Sequence, residues 1–291
     1  IANITAHSAG ADLMKMVKKM VYTIIPPYII SLIIYFIIGI NINLSNNMAV
    51  DFSKMMNILS GHFYISPFML FPPILIIILA IFKMPTILNL IINIITSLAI
   101  GVFFTQRKWT ALLNIMFKGF ANKTGVEFID NILARGGLTS MLELVSLIIF
   151  AVILGGIFEQ LGILNSILNK LVTEIKSKFH LISVTMVSSI ISAVLGCNQF
   201  LAVFLPARMM IEKYDRVNLS REELGRALGD SGLILSPLIP WNVNALMMTA
   251  VLGVSTIEYF RFSFLPLLLP FSSIVFSFFG KKNMLIKNNV E

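Results

Sequence analysis

The sequence predicts an all-α integral membrane protein, a polytopic bundle in which some helices are broken or re-entrant. Hydrophobic residues occupy 57% of the 291 positions and charged residues only 12%, about half the charged share of a soluble domain. The mean hydropathy is +0.89. So small a charged fraction does not cover a water-facing surface, which excludes a soluble globular fold.

Long apolar segments separate the charges, each close to the roughly 20 residues that a helix needs to cross the hydrocarbon core. Only Lys83-Met84-Pro85 lies between the second and the third, which predicts a tight helical hairpin. Residues 106–140 have mixed charge and apolar residues at near-helical spacing, which predicts amphipathic helices along the membrane interface. The predicted spans are 21–40, 64–82, 84–105, 141–164, 181–205, 231–256 and 259–280.

The net charge of +8 comes from Lys and Arg in short loops between these segments. There they orient the spans toward the anionic cytoplasmic leaflet, so the predicted location is the cytoplasmic membrane and no nucleic-acid partner is predicted. Residues 208–230 form the most charged stretch and predict a solvated helical connection, opened by a capping box of Ser220 and Glu223. No Walker P-loop, GxGxxG, HExxH or GxSxG is present, so no enzyme is predicted.

Two apolar segments are interrupted by residues that break helices. Segment 181–205 carries Gly196-Cys197-Asn198-Gln199, and segment 231–256 carries the run from Ser236 to Asn242, with Pro237, Pro240 and Trp241 inside it. Proline removes a backbone donor and clashes with the preceding turn. In hydrocarbon, freed backbone groups need protein or a water-filled cavity to satisfy them. The pattern predicts broken helices at membrane depth, the usual construction of an ion or substrate site in secondary transporters.

Segment 181–205 either crosses the membrane or enters and leaves on one side with its turn at Gly196–Gln199. If all seven segments cross, the 22 Lys and Arg residues divide between the two sides of the membrane as 8 against 14. A re-entrant segment makes the division 15 against 7 and places both chain ends in the cytoplasm. Both divisions are biased, so the positive-inside rule favours the re-entrant form only weakly.

Residues 224–254 read LGRALGDSGLILSPLIPWNVNALMMTAVLGV. This stretch resembles the hallmark of the NhaC-type sodium/proton antiporter family, LSR-x-L-E-D-[SA]-G followed by SPLxPWN and LGV. Asn198-Gln199 resembles the family's N-Q-[YF] segment. The chain departs from the pattern where Gly225 and Gly229 replace Ser and Glu, and where leucines replace two hydroxyl residues. The matching positions are Arg226, Leu228, Asp230, Ser231, Gly232, Ser236, Pro237, Leu238, Pro240, Trp241, Asn242 and Leu252-Gly253-Val254.

The resemblance implies one membrane transport domain over residues 1–291, part of an inverted-repeat secondary transporter that exchanges Na⁺ for H⁺. Its partners are then Na⁺, H⁺, the lipid bilayer and an N-terminal repeat of the same protein; a homo-oligomer is left open. The family's upstream SPLSDTT motif is expected to end just before Ile1, so the chain is interpreted as the C-terminal part of a longer protein. No cofactor is implied.

Sodium prefers several oxygen ligands, which an unwound helix supplies as backbone carbonyls and side-chain oxygens. Na⁺ is the only metal predicted, and the alternative for these polar side chains is hydrogen bonding between helices. The candidate ion-binding residues are Asn198, Gln199, Ser236, Asn242 and Asn244, and the candidate helix-breaking residues are Gly196, Pro237, Pro240 and Trp241.

Proton exchange needs an ionisable group at membrane depth. Asp230 lies at the mouth of the second broken segment, although capping a helix is an equal alternative. Glu159 lies in an otherwise apolar segment, although its side chain is within reach of the interface. These two are the candidate proton-coupling residues.

Two other functions stay open. Leu233 and Leu235 place apolar side chains beside the second break, which suits a carbon-containing solute, so a Na⁺- or H⁺-coupled exchanger of organic acids or amino acids is one alternative. The other is a truncated, non-transporting membrane protein, because half of a two-repeat transporter lacks the partner surface of the site. Residues 1–291 alone are expected not to transport.

Overall fold

The computed structural model is helical throughout the part of the chain that it describes, with no strand in those residues. It divides into two compact units, residues 1–42 with 144–291 and residues 43–143. The residues described are 2–41, 56–57, 59–61, 66–105, 108–119, 130, 137–171 and 177–279.

The helices keep the order in which the sequence predicts the apolar segments. In chain order they are α1 (Ala2–Ala9), α2 (Leu13–Asn41), α3 (Phe71–Ile81, after the 3-10 turn Pro67–Leu70), α4 (Thr86–Thr105), α5 (Trp109–Lys118), α6 (Leu138–Gln160), α7 (Ile163–Leu171), α8 (Lys178–Leu195), α9 (Gln199–Arg216), α10 (Arg221–Leu228), α11 (Val243–Leu252), α12 (Thr256–Phe260) and α13 (Phe264–Phe279).

Several helices have the length and composition of membrane spans. Leu13–Asn41, Thr86–Phe104 and Lys178–Leu195 are each long and apolar enough to cross a bilayer. Two bent pairs bring this number to five: Leu144–Gln160 with Ile163–Leu171, bent by 62°, and Arg221–Leu238 with Val243–Leu252, bent by 51°. Most large apolar side chains on α2 and α6 are exposed, as expected of surfaces that contact lipid. The protein is a multi-pass membrane protein.

The predicted segment 181–205 is two helices that fold back on each other. The Ser189 hydroxyl of α8 donates to the Ala202 carbonyl of α9 at 2.8 Å, and the Tyr214 hydroxyl donates to Thr185 Oγ1 at 3.2 Å. Both contacts pair a residue before the turn with one after it, so α8 and α9 form an antiparallel hairpin. Its core is apolar and includes Met186 of α8 and the two α9 residues Val203 and Met210.

The predicted segment 231–256 lies in a longer helix that changes its winding twice. After α10 the chain forms a π-helix over Gly229–Leu233 and then a single 3-10 turn over Ser236–Leu238. Ile239 is extended, with a φ of −96° and a ψ of 112°, and α11 begins only after Asn242. The break therefore lies where the two prolines place it.

Residues 43–143 contain the hairpin that the sequence predicts around Lys83. α3 ends at Ile81 and α4 begins at Thr86, and Lys83 takes a positive φ of 56° to reverse the chain. The Asn89 amide donates to the Ile76 carbonyl at 3.2 Å, which fixes α4 against α3. Of the predicted interfacial region 106–140, residues 108–119, 130 and 137–140 are described, and the other residues lie outside the described part.

The prediction that residues 208–230 form a solvated connection is wrong for their second half. Asp215 and Arg221 are exposed and form an ion pair of 2.9 Å, whereas Arg226 and Asp230 are fully buried. The predicted capping box is also wrong, since the Ser220 side chain makes no cap hydrogen bond. Removing the charges of α10 from water is costly, and ion pairs with oppositely charged buried side chains offset part of this cost.

Candidate functional site

The first helix break is a tight turn between α8 and α9. Cys197 adopts a positive φ of 53°, a conformation that costs a non-glycine residue about 1 kcal/mol or more. The Asn198 side chain then caps α9, with Oδ1 accepting from the Phe200 N–H at 2.7 Å. A Cβ atom at Gly155 would overlap the Gly196 carbonyl oxygen, so α6 passes directly against this turn.

The second break is capped in the same way. Asn242 Oδ1 accepts from the Asn244 N–H at 3.1 Å, which satisfies one of the free donors at the start of α11. Ser236 donates its hydroxyl to the Gly232 carbonyl at 2.6 Å, and the Pro237 carbonyl accepts from the Tyr259 hydroxyl. Protein groups therefore take up much of the hydrogen-bonding capacity that the prolines release.

The two breaks are hydrogen-bonded to each other. The Trp241 indole N–H donates to the Val194 carbonyl at 2.7 Å, and the Asn242 amide donates to the Ala193 carbonyl at 3.0 Å. The backbone N–H of Val243 donates to the Cys197 carbonyl at 3.0 Å. The interruptions at Gly196–Gln199 and Ser236–Asn242 thus meet at one place, which is the geometry of a site built from discontinuous helices.

A fourth bond joins the tip of the hairpin to the helix before the second break. Gln199 Nε2 donates to the Leu233 carbonyl at 3.2 Å. Ser236 and Asn242 are fully buried, while Asn198, Gln199 and Asn244 are half-buried. All five candidate ion-binding residues thus lie in this junction or next to it.

The candidate oxygens keep unused capacity. An amide oxygen has two lone pairs and a hydroxyl also accepts, whereas Asn198 Oδ1 and Asn242 Oδ1 each have one N–H partner. The Asn244 amide nitrogen is buried without a hydrogen-bond partner in the described part of the chain. The junction combines side-chain oxygens, uncoiled backbone and an unsatisfied polar group in one partly buried place.

Asp230 lies one π-helical turn before this junction, in a second polar group of residues. It is fully buried. Its Oδ2 accepts from the Thr23 hydroxyl at 2.8 Å and from Arg226 Nη1 at 3.3 Å, and its Oδ1 has no hydrogen-bond partner in the described residues. Asp230 is therefore not a helix cap, and its carboxylate is only partly satisfied.

Arg226 is the centre of this second group. Its Nε donates to Glu223 Oε2 at 2.9 Å, and its two terminal nitrogens donate to the α13 hydroxyls of Ser273 and Ser277 at 2.5 and 2.9 Å. On the other side of Glu223, the Lys19 ammonium of α2 lies 3.1 Å from Oε1. We call Lys19, Glu223, Arg226 and Asp230 the charge cluster.

Small residues allow the helices of the charge cluster to approach. A Cβ atom at Gly225 would lie 2.5 Å from the Met16 sulfur, and one at Gly229 would lie 2.7 Å from Met20 Cε. At Gly232 an added Cβ would overlap backbone and side-chain atoms of Ser189. The two glycines that depart from the family pattern thus make room for α2, and Gly232 makes room for α8.

Glu159 lies elsewhere. It is the second-last residue of α6 and is half-buried. Within the described part of the chain, its side chain has no hydrogen bond or ion pair with the charge cluster. Of the two candidate proton-coupling residues, the structure places only Asp230 among other buried charges.

Sequence analysis missed most of the charge cluster, although its spacing carried a signal. Glu223, Arg226 and Asp230 are separated by three and four residues, so they share one face of a helix. Lys19 and Thr23 are also four residues apart. Opposite charges at helical spacing between apolar residues indicate a buried ion-pair network, but nothing local indicates which distant helix supplies the partner.

Comparisons with known proteins find a family match over almost the whole chain. The sequence model of the Na⁺/H⁺ antiporter family matches residues 1–281. The Na⁺/H⁺ antiporter NhaC of Alkalihalophilus pseudofirmus is 33% identical over 279 residues, which are 96% of this chain and 60% of that protein. The malate-2H⁺/Na⁺-lactate antiporter of Bacillus subtilis is 30% identical over 291 residues, 98% of this chain and 61% of that protein.

A more distant relative is named for a different substrate. The arginine/ornithine antiporter ArcD of Halobacterium salinarum is 25% identical over 276 residues, 94% of this chain and 57% of that protein. The chain spans about three fifths of the length of these relatives. No solved structure matches the chain.

Proposed function

Because this chain belongs to the Na⁺/H⁺ antiporter family, we propose that the full-length protein exchanges Na⁺ for H⁺ across the cytoplasmic membrane by alternating access. The observation that carries the proposal is the junction of the two helix breaks, where Trp241, Asn242 and Val243 donate to carbonyls of the first break. Uncoiled chain at membrane depth is tolerated where it lines a site.

In this proposal the junction binds the cation. Side-chain oxygens of Asn198, Ser236 and Asn242, together with backbone carbonyls, supply the ligands, and Gln199 and Asn244 complete the polar wall. Sodium binding replaces hydrogen bonds between the two breaks with bonds to the ion. Each such hydrogen bond contributes about 1 kcal/mol, so the bonds of the junction are weak enough to be exchanged during a transport cycle.

Asp230 is the proposed proton carrier. A carboxylate without exposure to water is costly unless it is paired, hydrogen-bonded or protonated, and one oxygen of Asp230 has no partner among the described residues. Asp230 lies in the same helical segment as the second break, six residues before Ser236. Protonation of Asp230 and cation binding at the break therefore act on one element, which couples them.

The hairpin of α8 and α9 is proposed to be re-entrant. Its tip meets the break of the segment Arg221–Leu252, which has the composition of a span bent near its middle. A tip that contacts the middle of a span lies at membrane depth. Both ends of the hairpin then lie on one side of the bilayer.

The test is Na⁺-dependent pH change in everted membrane vesicles from antiporter-deficient cells that express the full-length protein. Addition of Na⁺ should raise the internal pH between roughly pH 7 and 9. Asp230→Asn should abolish the response, whereas Glu159→Gln and the exposed control Asp215→Asn should keep it. Absence of any Na⁺ response from the wild-type protein contradicts sodium exchange, and a normal response from Asp230→Asn contradicts its role.

A second candidate solute is an organic acid or amino acid, exchanged with Na⁺ or H⁺ as the driving ion. Leu233 is buried and Leu235 half-buried beside the break, where two hydroxyl residues of the family pattern are absent. Two of the relatives are named for organic solutes. Counterflow of labelled malate, lactate or arginine in reconstituted vesicles tests this candidate, and accumulation that depends on an unlabelled solute inside supports it.

A further inference from the structure

The charge cluster runs from the surface of the helical unit to its interior. The side chain of Lys19 is 29% exposed, that of Glu223 9%, that of Arg226 1% and that of Asp230 0%. Burial of four charges in a row is costly unless they serve as partners for each other. The cluster has two positive and two negative members, so it is neutral only while both carboxylates are ionised and no further cation is present.

Arg226 binds its two acidic neighbours unequally. Its distance to Glu223 Oε2 is 2.9 Å, with the Nε–H as donor, whereas its distance to Asp230 Oδ2 is 3.3 Å. Charge-assisted hydrogen bonds of full strength are about 2.7–2.9 Å long. The bond to Glu223 is therefore well formed, and the bond to Asp230 is the weaker of the two.

Asp230 has room for another positive partner. Its Oδ1 is buried without a hydrogen-bond partner in the described residues, although an ionised carboxylate accepts up to about four hydrogen bonds. The Ser273 hydroxyl lies nearby; it accepts from Arg226 and keeps one O–H to donate, which still leaves lone pairs of the carboxylate free. A partly satisfied carboxylate next to a loosely bound guanidinium is an arrangement that a small cation can complete.

We propose that the cation bound at the junction also uses Asp230, one helical turn away, as a second binding position, and that Arg226 competes with the cation for this carboxylate: the guanidinium neutralises Asp230 when no cation is bound there, and shifts onto Glu223 when a cation or a proton arrives. Arg226 is thus a positioning residue. Glu223 is its alternative partner, and Lys19, which shares Glu223, sets how strongly Glu223 attracts it. This inference rests on the proposed cation exchange.

The mechanism follows from charge balance in a dry interior. A bound Na⁺ at Asp230 adds one positive charge to a neutral cluster, and charges at short range interact strongly where water is excluded. The repulsion is relieved when the guanidinium moves away from Asp230. The move is short, because Glu223 and Asp230 lie three and four residues from Arg226 on the same helical face, and Ser277 holds the second terminal nitrogen.

Substitution of Lys19 should change this competition without disturbing the core, because its side chain is partly exposed. Lys19→Gln leaves Glu223 with less positive charge around it, so Glu223 attracts Arg226 more strongly and Asp230 binds Na⁺ more tightly. The KM for Na⁺ should fall by about threefold, the size of a partly exposed ion pair. Lys18→Gln, an exposed lysine of the same helix, is the matched control and should leave the KM unchanged.

Glu223→Gln should have the opposite effect. Without its acidic partner, Arg226 remains on Asp230, and the KM for Na⁺ should rise by about tenfold, since a hydrogen bond between charged groups is lost. A residue that only supports folding would lower the maximal rate in both variants. Changes of KM in opposite directions, with amounts of protein in the membrane unchanged, therefore exclude a purely structural role of the two residues.

A double-mutant cycle distinguishes an effect that Lys19 and Glu223 exert through Arg226 from a direct electrostatic effect of their charges on Asp230. In an Arg226→Gln background, Lys19→Gln and Glu223→Gln should no longer change the KM, because both act through Arg226. If they act on Asp230 directly, their effects should persist at full size. Should Arg226→Gln fail to reach the membrane, Arg226→Lys serves instead, because a single ammonium does not bridge two carboxylates as a guanidinium does.

A second readout does not depend on transport. A hydrophobic carbodiimide modifies a buried carboxyl group in its protonated form, and mass spectrometry measures the rate at Asp230 in membranes that contain the full-length protein. Lys19→Gln should accelerate modification and Glu223→Gln should slow it. A missing Na⁺ response in wild-type vesicles would contradict the proposed function, whereas unchanged KM values or unchanged modification rates in both variants would contradict the role of Arg226.

Discussion

Substitution of Asn242 tests how much the junction of the two breaks contributes to the structure. Its side chain makes two bonds in opposite directions: Oδ1 accepts from the Asn244 N–H, and Nδ2 donates to the Ala193 carbonyl. The first caps α11, which is worth about 1 kcal/mol. The second joins the breaks and is worth about 1 kcal/mol. Asn242→Ala should therefore lower the free energy of unfolding by about 2 kcal/mol.

Asn242→Ser separates the two bonds. Serine is a good helix cap but is too short to reach across to the first break, so this variant should lose only about 1 kcal/mol. The exposed Asn169 of α7 provides the control, since Asn169→Ala should change stability by no more than about 0.5 kcal/mol. Unfolding of the full-length protein by a denaturing detergent measures all three variants.

The series has a clear refuting outcome. If Asn242→Ser is as stable as the wild-type protein, the bond between the breaks contributes nothing and the junction is only a packing contact. If Asn242→Ala equals the control, the cap contributes nothing either. The same variants should raise the KM for Na⁺, because Asn242 is a proposed ligand. If Asn242→Ala loses about 2 kcal/mol of stability while the KM stays unchanged, Asn242 is not part of the ion site.

Two further predictions follow from close approaches and topology. Gly232→Ala should destabilise the protein by about 1–3 kcal/mol, because its Cβ would overlap Ser189. The control Gly156→Ala, with nothing within 4 Å of the added atom, should be nearly neutral. Expression level and unfolding in detergent compare the two variants. Single cysteines are placed at Lys178 and Arg216 in a background without the native cysteine. Both should react with a membrane-impermeant maleimide from the same side of the membrane, and labelling from opposite sides would exclude a re-entrant hairpin.

The positions of the breaks were predictable because their causes are local. Pro237 and Pro240 each remove a backbone donor wherever they lie, and the structure places a 3-10 turn and an extended residue between them and Asn242. The turn after Gly196 also has a local cause, because the Asn198 side chain caps the helix that follows. The apolar segment 84–105 likewise corresponds to the single helix Thr86–Thr105, whereas segment 181–205 is two helices.

The contacts between distant elements were not predictable from one sequence. The charged residues of α10 suggested exposure to water because composition alone does not reveal a partner, and the partner of Glu223, Lys19, lies about 200 residues earlier. The hydrogen bonds from Trp241 and Asn242 to the first break depend in the same way on tertiary packing. Spacing of charges narrows the choice of face on one helix, but the identity of the facing helix comes only from the fold.

One continuous segment connects the charge cluster to the junction of the breaks. Arg226 precedes the π-helix Gly229–Leu233, Asp230 is its second residue, and Ser236 follows it. A π-helical turn is wider than an α-helical turn and is frequent at functional sites, because it can change its winding at small cost. Gln199 of the hairpin donates to the carbonyl of the last π-helical residue. A shift of the hairpin tip that opens the junction therefore moves the Leu233 end of the π-helix through this hydrogen bond. A change of charge at Asp230 affects the same π-helix near its first residue. Coupling of proton and cation then needs no long pathway, since both events bias the winding of five residues.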